Sequence, residues 1–158
     1  MSEETNAVEV DPLSSTAAET NTDFPVLAAD RILRFKVANA EKKRNEEKGN
    51  EYIQFKIELL SENAVFNDGK PARPGFKFNQ VVAITPSGDY DYESIKRSCA
   101  LWLKGCLSLE QAKTTTIRQF VDNPAMLNGL VFPGRTSIRK DKTGQYPPST
   151  QVTPVLEA

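Results

Sequence analysis

Arg31-Ile32-Leu33-Arg34-Phe35-Lys36-Val37 and, after a charged connection, Tyr52-Ile53-Gln54-Phe55-Lys56-Ile57-Glu58-Leu59 alternate apolar and polar residues with the two-residue period of a half-buried strand. In the first run Leu33, Phe35 and Val37 share a face, and Arg34 and Lys36 share the other. In the second, Ile53, Phe55, Ile57 and Leu59 point inward, while Tyr52, Gln54, Lys56 and Glu58 point out. Paired antiparallel, the two strands make a sheet with an apolar back and a front bearing Arg34, Lys36, Lys56 and one aromatic ring. A cationic, ring-bearing face suits a polyanion that also offers flat bases.

The remaining composition narrows the classes of chemistry. The chain of 158 residues is 39% hydrophobic and 26% charged, enough for one core in an ordinary globular domain. It contains no histidine, so the commonest general base and the commonest nitrogen ligand for zinc are missing. The two cysteines, Cys99 and Cys106, fall seven apart in a helical pattern. That puts their Cα atoms roughly 10 Å apart along a helix, too far for a disulfide. Two buried thiols used as small hydrophobes are the expectation, and no metal site, cofactor or enzymatic activity is expected. No run is long enough to cross a bilayer and the N-terminus lacks a secretory pattern, so the expectation is a cytoplasmic protein, in the host cytoplasm if viral, with no membrane partner.

Charge is segregated along the chain. Six of the 21 acidic residues (Glu3, Glu4, Glu9, Asp11, Glu19 and Asp23) fall in residues 1–24, which hold no Lys or Arg. The remainder sets 15 acidic residues against all 20 basic ones, a net of +5. Residues 1–24, rich in Ser, Thr, Glu and Asn, read as a disordered acidic tail. Residues 25–158 form the folded domain.

Within that domain the first strand is expected from Val26 or Arg31 to Ala38. A charged connection, Glu41 to Glu51, opens with the basic knot Lys42-Lys43-Arg44 and closes on the turn signal Gly49-Asn50. The second strand runs to Leu60, and residues 61–75 read as a long loop with an Asn67-Asp68-Gly69 turn. Phe76 to Ile84 is a third strand, with Phe76, Phe78, Val82 and Ile84 on one face and Lys77 and Asn79 on the other. The period then lengthens: Ile95, Cys99, Trp102 and Cys106 form the stripe of an amphipathic helix, capped by Asp91 or Ser94, with Gly105 marking a break. Asp89, Asp91 and Glu93 complement the helix dipole rather than hold a metal. Ser108-Leu109-Glu110-Gln111 predicts a capping box for a second helix to about Val121, ended by Asp122-Asn123-Pro124. Two more strands follow, Leu127 to about Lys140 and Thr150 to Leu156, joined by a turn in which Tyr146 lies. The spacing Gly129 to Thr136 mimics a phosphate-binding P-loop, but bulky residues inside it and strand-like sequence after it argue against one.

Three strands, one or two helices, then two strands is a mainly β order without parallel alternation. It is that of the OB-fold, a five-stranded, partly open barrel that commonly binds oligonucleotides, here with one or two helices between strands three and four. Val26-Leu27-Ala28-Ala29-Asp30 leading into Val37-Ala38-Asn39-Ala40-Glu41-Lys42-Lys43, the entry Gly49-Asn50-Glu51-Tyr52-Ile53-Gln54-Phe55, and Thr143-Gly144-Gln145-Tyr146-Pro147-Pro148-Ser149-Thr150-Gln151-Val152 together resemble bacteriophage-encoded single-stranded-DNA-binding proteins of the OB-fold type, over about residues 25–156. The resemblance implies binding of single-stranded DNA during replication or recombination, beside the proteins of those processes. Many such proteins carry an acidic tail at the C-terminus; here the acidity sits at the other end.

Sequence-neutral binding needs cations that follow phosphates and rings on which bases stack. The candidates are Arg34, Lys36, Lys56, Lys77, Arg135 and Arg139 on the strands and Lys42, Lys43 and Arg44 in the first loop. Tyr52 leads the stacking candidates, followed by Tyr146 and then Phe66. Trp102 belongs to the core. The rival expectation is a protein-interaction or assembly module using the same face.

Overall fold

The computed structural model describes residues 25–47, 49–86, 91–140 and 148–156. Its frame is one antiparallel sheet of five strands. We label the strands β1 (Ile32–Arg44), β2 (Glu51–Leu59), β3 (Ala64–Val65), β4 (Pro71–Ala72), β5 (Lys77–Ala83), β6 (Val131–Arg139) and β7 (Ser149–Pro154). The helices are α1 (Tyr92–Cys106), α2 (Leu109–Thr114) and α3 (Ile117–Asp122), followed by a 3₁₀ turn at Pro124–Leu127. The sheet order is β5-β2-β1-β6-β7, with β3 and β4 forming a separate small hairpin.

β1 is longer than its sequence suggests. It runs on through the basic knot to Arg44, where Lys42, Lys43 and Arg44 pair with Ile53, Tyr52 and Glu51. The polar run Glu41–Arg44 hides the alternation. An irregularity between Val37 and Asn39 shifts the register, so that Val37 and Ala40 are both buried. The kink is fixed from outside the strand. Val37 N–H donates to Leu130 O (2.9 Å) and Gly129 N–H to Val37 O (2.7 Å). Asn128 Oδ1 accepts from Ala40 N–H (2.8 Å), while its Nδ2 donates to Asn39 Oδ1 (3.2 Å). A bulge of this kind bends a strand and increases its twist, which lets β1 pair with β2 along most of its length and with β6 over Ile32–Lys36.

Of the inward set expected on the first two strands, Phe35, Val37, Ile53, Phe55, Ile57 and Leu59 are each 0% exposed, and Leu33, nearer the strand's start, is half-buried against them. α1 lays Ile95, Cys99, Trp102 and Leu103 against them, and Trp102 stacks on Phe55 with ring centroids 4.2 Å apart. Asp91 caps α1 by accepting from Ser94 N–H, which holds its carboxyl below the usual range. The helix ends one residue past Gly105, at Cys106 with Leu107 as its C-cap. A Cβ on Gly105 would lie 2.6 Å from Pro154 Cβ, so the glycine allows close approach of β7. The next expected helix is two. Ser108 and Thr116 each open a capping box, with Gln111 and Gln119 reaching back, and the β-branched Thr114–Thr116 run separates them. Leu127 belongs to the 3₁₀ turn rather than to β6, because Pro124 opens a short turn that the bulge then binds. The loop expected over residues 61–75 contains the β3–β4 hairpin, with Phe66 N–H donating to Lys70 O across the predicted turn.

The sheet does not close on itself by strand pairing. Its edge strands β5 and β7 meet through one side chain. Gln80 Nε2 donates to Val152 O and Gln80 Oε1 accepts from Val152 N–H, both at 2.8 Å. The amide thus occupies the place that a facing peptide group would take in a ladder. Gln80→Leu keeps the volume but leaves both buried Val152 groups without a partner. It should cost about 2–4 kcal/mol, read as a lower urea midpoint with an unchanged far-ultraviolet circular dichroism spectrum.

Candidate functional site

On a strand with one buried face, the register fixes which side chains share the other. Tyr52 faces Lys43 on one neighbour and Ala83 on the other. Gln54 faces Glu41 and Val81, Lys56 faces Asn39 and Asn79, and Glu58 faces Lys36 and Lys77. These rungs form the outer face of β1, β2 and β5. Lys56, Lys77, Asn79, Val81 and Ala83 are exposed on it. Tyr52 is half-buried, with a lysine and a methyl group beside it.

Arg34 and Lys36 lie on the same outer face, one strand over, opposite Pro133 and Val131 of β6. The structure therefore brings Arg34, Lys36 and Lys56 to one side of the sheet. Lys77 joins them across Glu58. Arg135 lies beside Ile32, and Arg139 lies at the other end of β6, opposite Ser149. Those two arginines are four positions apart, about 13 Å along a strand. Tyr146 lies outside the described residues. Phe66 is not a free platform: its ring packs edge-on against Phe76 at 5.0 Å, and the two partly buried rings join the core. Trp102 is a core residue, 3% exposed.

Several of the candidate cations are already paired. Lys36 Nζ lies 3.7 Å from Glu58 Oε1, Lys42 Nζ 3.7 Å from Glu51 Oε2, and Lys43 Nζ 3.8 Å from Glu41 Oε2. Pairs this exposed contribute little to stability, but each carboxylate offsets the positive charge beside it. Arg34, Arg44, Lys56, Lys77, Arg135 and Arg139 have no ion pair among the described residues. Arg44 lies over the tight loop at its end of the sheet, where a Cβ on Gly49 would meet its Nη2 at 3.5 Å. Gly49 itself adopts φ +72°, which favours glycine.

Beside this face the edges of β5 and β7 leave a groove of about 370 Å³, lined by Val81 and Ala83, Gln151 and Thr153, Trp102 and Arg139 among others. The sequence signal for it was weak. Val81, 40% exposed, is an apolar residue on the polar side of an alternating strand, and nothing nearby in sequence points to β7.

No protein-family model matches the chain, and a comparison with curated proteins finds no match either. Among the described residues no three acidic or thiol side chains gather as a metal site, and no helix is long and apolar enough to cross a membrane.

The thiols offer no nucleophile at neutral pH. Burial pushes Cys99 up to about 11 and Cys106 up to about 12, from an ordinary value of 9.0. The native chain therefore keeps protons that the unfolded chain releases above that value, so stability is unaffected below pH 9 and falls as pH rises toward 11 and 12. At pH 8 a thiol-reactive dye should label both cysteines in denaturant and label the native chain many-fold more slowly. Equal rates would show the sulfurs to be accessible.

Proposed function

We propose that the protein binds single-stranded DNA without sequence preference, through the outer face of β2 and β5 and the basic end of β1. The observation that carries the reading is the rung Lys43–Tyr52–Ala83 with Lys56, Asn79 and Val81 beside it. It places a ring among polar and small side chains on a sheet face that remains accessible. Bases can stack on such a ring while lysines and arginines follow the phosphates.

The chain path supports an OB-type barrel. Counted along the chain, the five long strands lie in the order third, second, first, fourth, fifth. The helices fall between the third and fourth, and Gln80 draws the third and fifth together. In folds of that type the second and third strands, with the loop joining the first two, bind oligonucleotides. Here those strands carry Tyr52, Lys56 and Lys77, and Arg44 ends β1 where the joining loop begins. With the resemblance to phage single-stranded-DNA-binding proteins, this supports a role in replication or recombination of a phage-type genome.

The rival reading, a protein-interaction or assembly module, draws on the apolar side chains of the neighbouring strands, where Ile32 is 54% and Val131 38% exposed. Nucleic-acid binding predicts a steep loss of affinity with salt, because neutralised phosphates release counterions. Protein docking through Ile32 and Val131 does not. In a fluorescence-anisotropy titration with oligo-dT at two salt concentrations, affinity should fall strongly at the higher one, and duplex DNA should bind more weakly. Tyr52→Ala should weaken oligo-dT binding about tenfold, for stacking worth about 1–3 kcal/mol per base, without shifting the thermal midpoint. No binding to oligo-dT would overturn the proposal, and unchanged affinity in the variant would remove Tyr52 from the site.

A further inference from the structure

Where β5 and β7 stay apart, the sheet has a slot instead of a ladder. It is lined by Val81 and Ala83 of β5, Gln151 and Thr153 of β7, Trp102 of α1 and Arg139 of β6, and the Gln80 amide that bridges to Val152 lies among them. The slot continues the face already described, since Ala83 is the register partner of Tyr52 and Val81 that of Gln54. Val81 and Ala83 on one strand and Thr153 on the other carry methyl groups, against which a flat ring can pack. The Gln151 side chain offers a donor and an acceptor, which can meet the polar edge of a base. Arg139 is exposed, and none of the ion pairs among the described residues involves it. Among the described residues its guanidinium thus faces no carboxylate, in contrast to the ammonium groups of Lys36, Lys42 and Lys43, each of which lies beside one.

We infer that the slot between β5 and β7 receives one unpaired nucleobase of the bound strand and that Arg139 holds the adjoining phosphate. The strand then crosses the sheet along the rung Lys43–Tyr52–Ala83 into the slot, at right angles to the β-strands. A path along Arg34, Lys36 and Lys56 is the alternative. The inference rests on the single-strand reading of the same sheet and adds to it a defined base site and a direction of travel. A free nucleotide is a poorer fit, because Arg139 is the one cation lining the slot among the described residues and a nucleotide's terminal phosphate carries more than one charge.

The test uses the full chain, oligo-dT, and an oligonucleotide of equal length with abasic sites in place of the bases. Val81→Trp fills the slot from an exposed position, and Arg139→Gln removes its cation. Each should lower oligo-dT affinity about tenfold. Val81→Trp should leave abasic binding as it is, whereas Arg139→Gln should weaken both. Should Val81→Trp lower the thermal midpoint, Arg139→Gln and the smaller Ala83→Leu decide the matter. If the unsubstituted chain fails to bind oligo-dT, the single-strand reading falls and the slot with it. If it binds and the substituted chains bind oligo-dT equally well, the slot is overturned and the reading stands.

Discussion

The bend in β1 is the constraint on which the rest of the molecule depends. A strand of 13 residues that stayed regular would carry its apolar face away from the core before reaching its end. The extra residue at Ala38 turns Ala40 back inward, and the chain segment before β6 clamps the kink through Leu130, Gly129 and Asn128. One half of β1 thereby completes the pairing with β6 while the other extends the hairpin with β2. The same bend carries Lys43 and Arg44 to the end of the sheet where Tyr52 lies.

The remaining packing follows from curvature. A curled sheet has a concave side to fill, and α1 fills it with Trp102 stacked on Phe55 and set edge-on to Phe132. Close packing leaves no room for side chains at two crossing points. A Cβ on Gly134 would overlap Val152 Cγ2, and one on Gly105 would press on Pro154. The lead-in to β1 is tied down by hydroxyls: buried Thr136 donates to Ala28 O at 2.6 Å and accepts from Arg31 N–H at 3.0 Å. Thr150 Oγ1 accepts from Leu27 N–H at 3.1 Å. With its interior held from several sides, the sheet can leave its outer face bare.

What could be read from the sequence was what a short window encodes. The alternation in β1, β2 and β5 states which side chains are inward, because a side-chain period of two needs no knowledge of the partner strand. The stripe of α1, the Asp91 cap and the Ser108 box are equally local. The Gln80 link was illegible: a glutamine between Phe78 and Val82 has no local signature, and Val152 lies 72 positions away. Gly105 marked the end of α1 to within a residue, but its second role, admitting Pro154 of β7, has no local signature either. The reach of β1 to Arg44 was hidden because four successive polar residues carry no alternation. For the candidate site, the cations and Tyr52 were visible as residue types. The ion pairs with Glu51 and Glu58, and the groove beside Val81, arise only when the strands are in register; the Lys43–Glu41 pair, two apart on one strand, is local.

The position of Trp102 has a practical consequence. It is the only tryptophan in the chain, and its indole is both stacked on Phe55 and part of the lining between the sheet edges. The molecule thus contains its own optical gauge: tryptophan emission arises from one place, and whatever enters or widens that gap alters the surroundings of a single indole without any label.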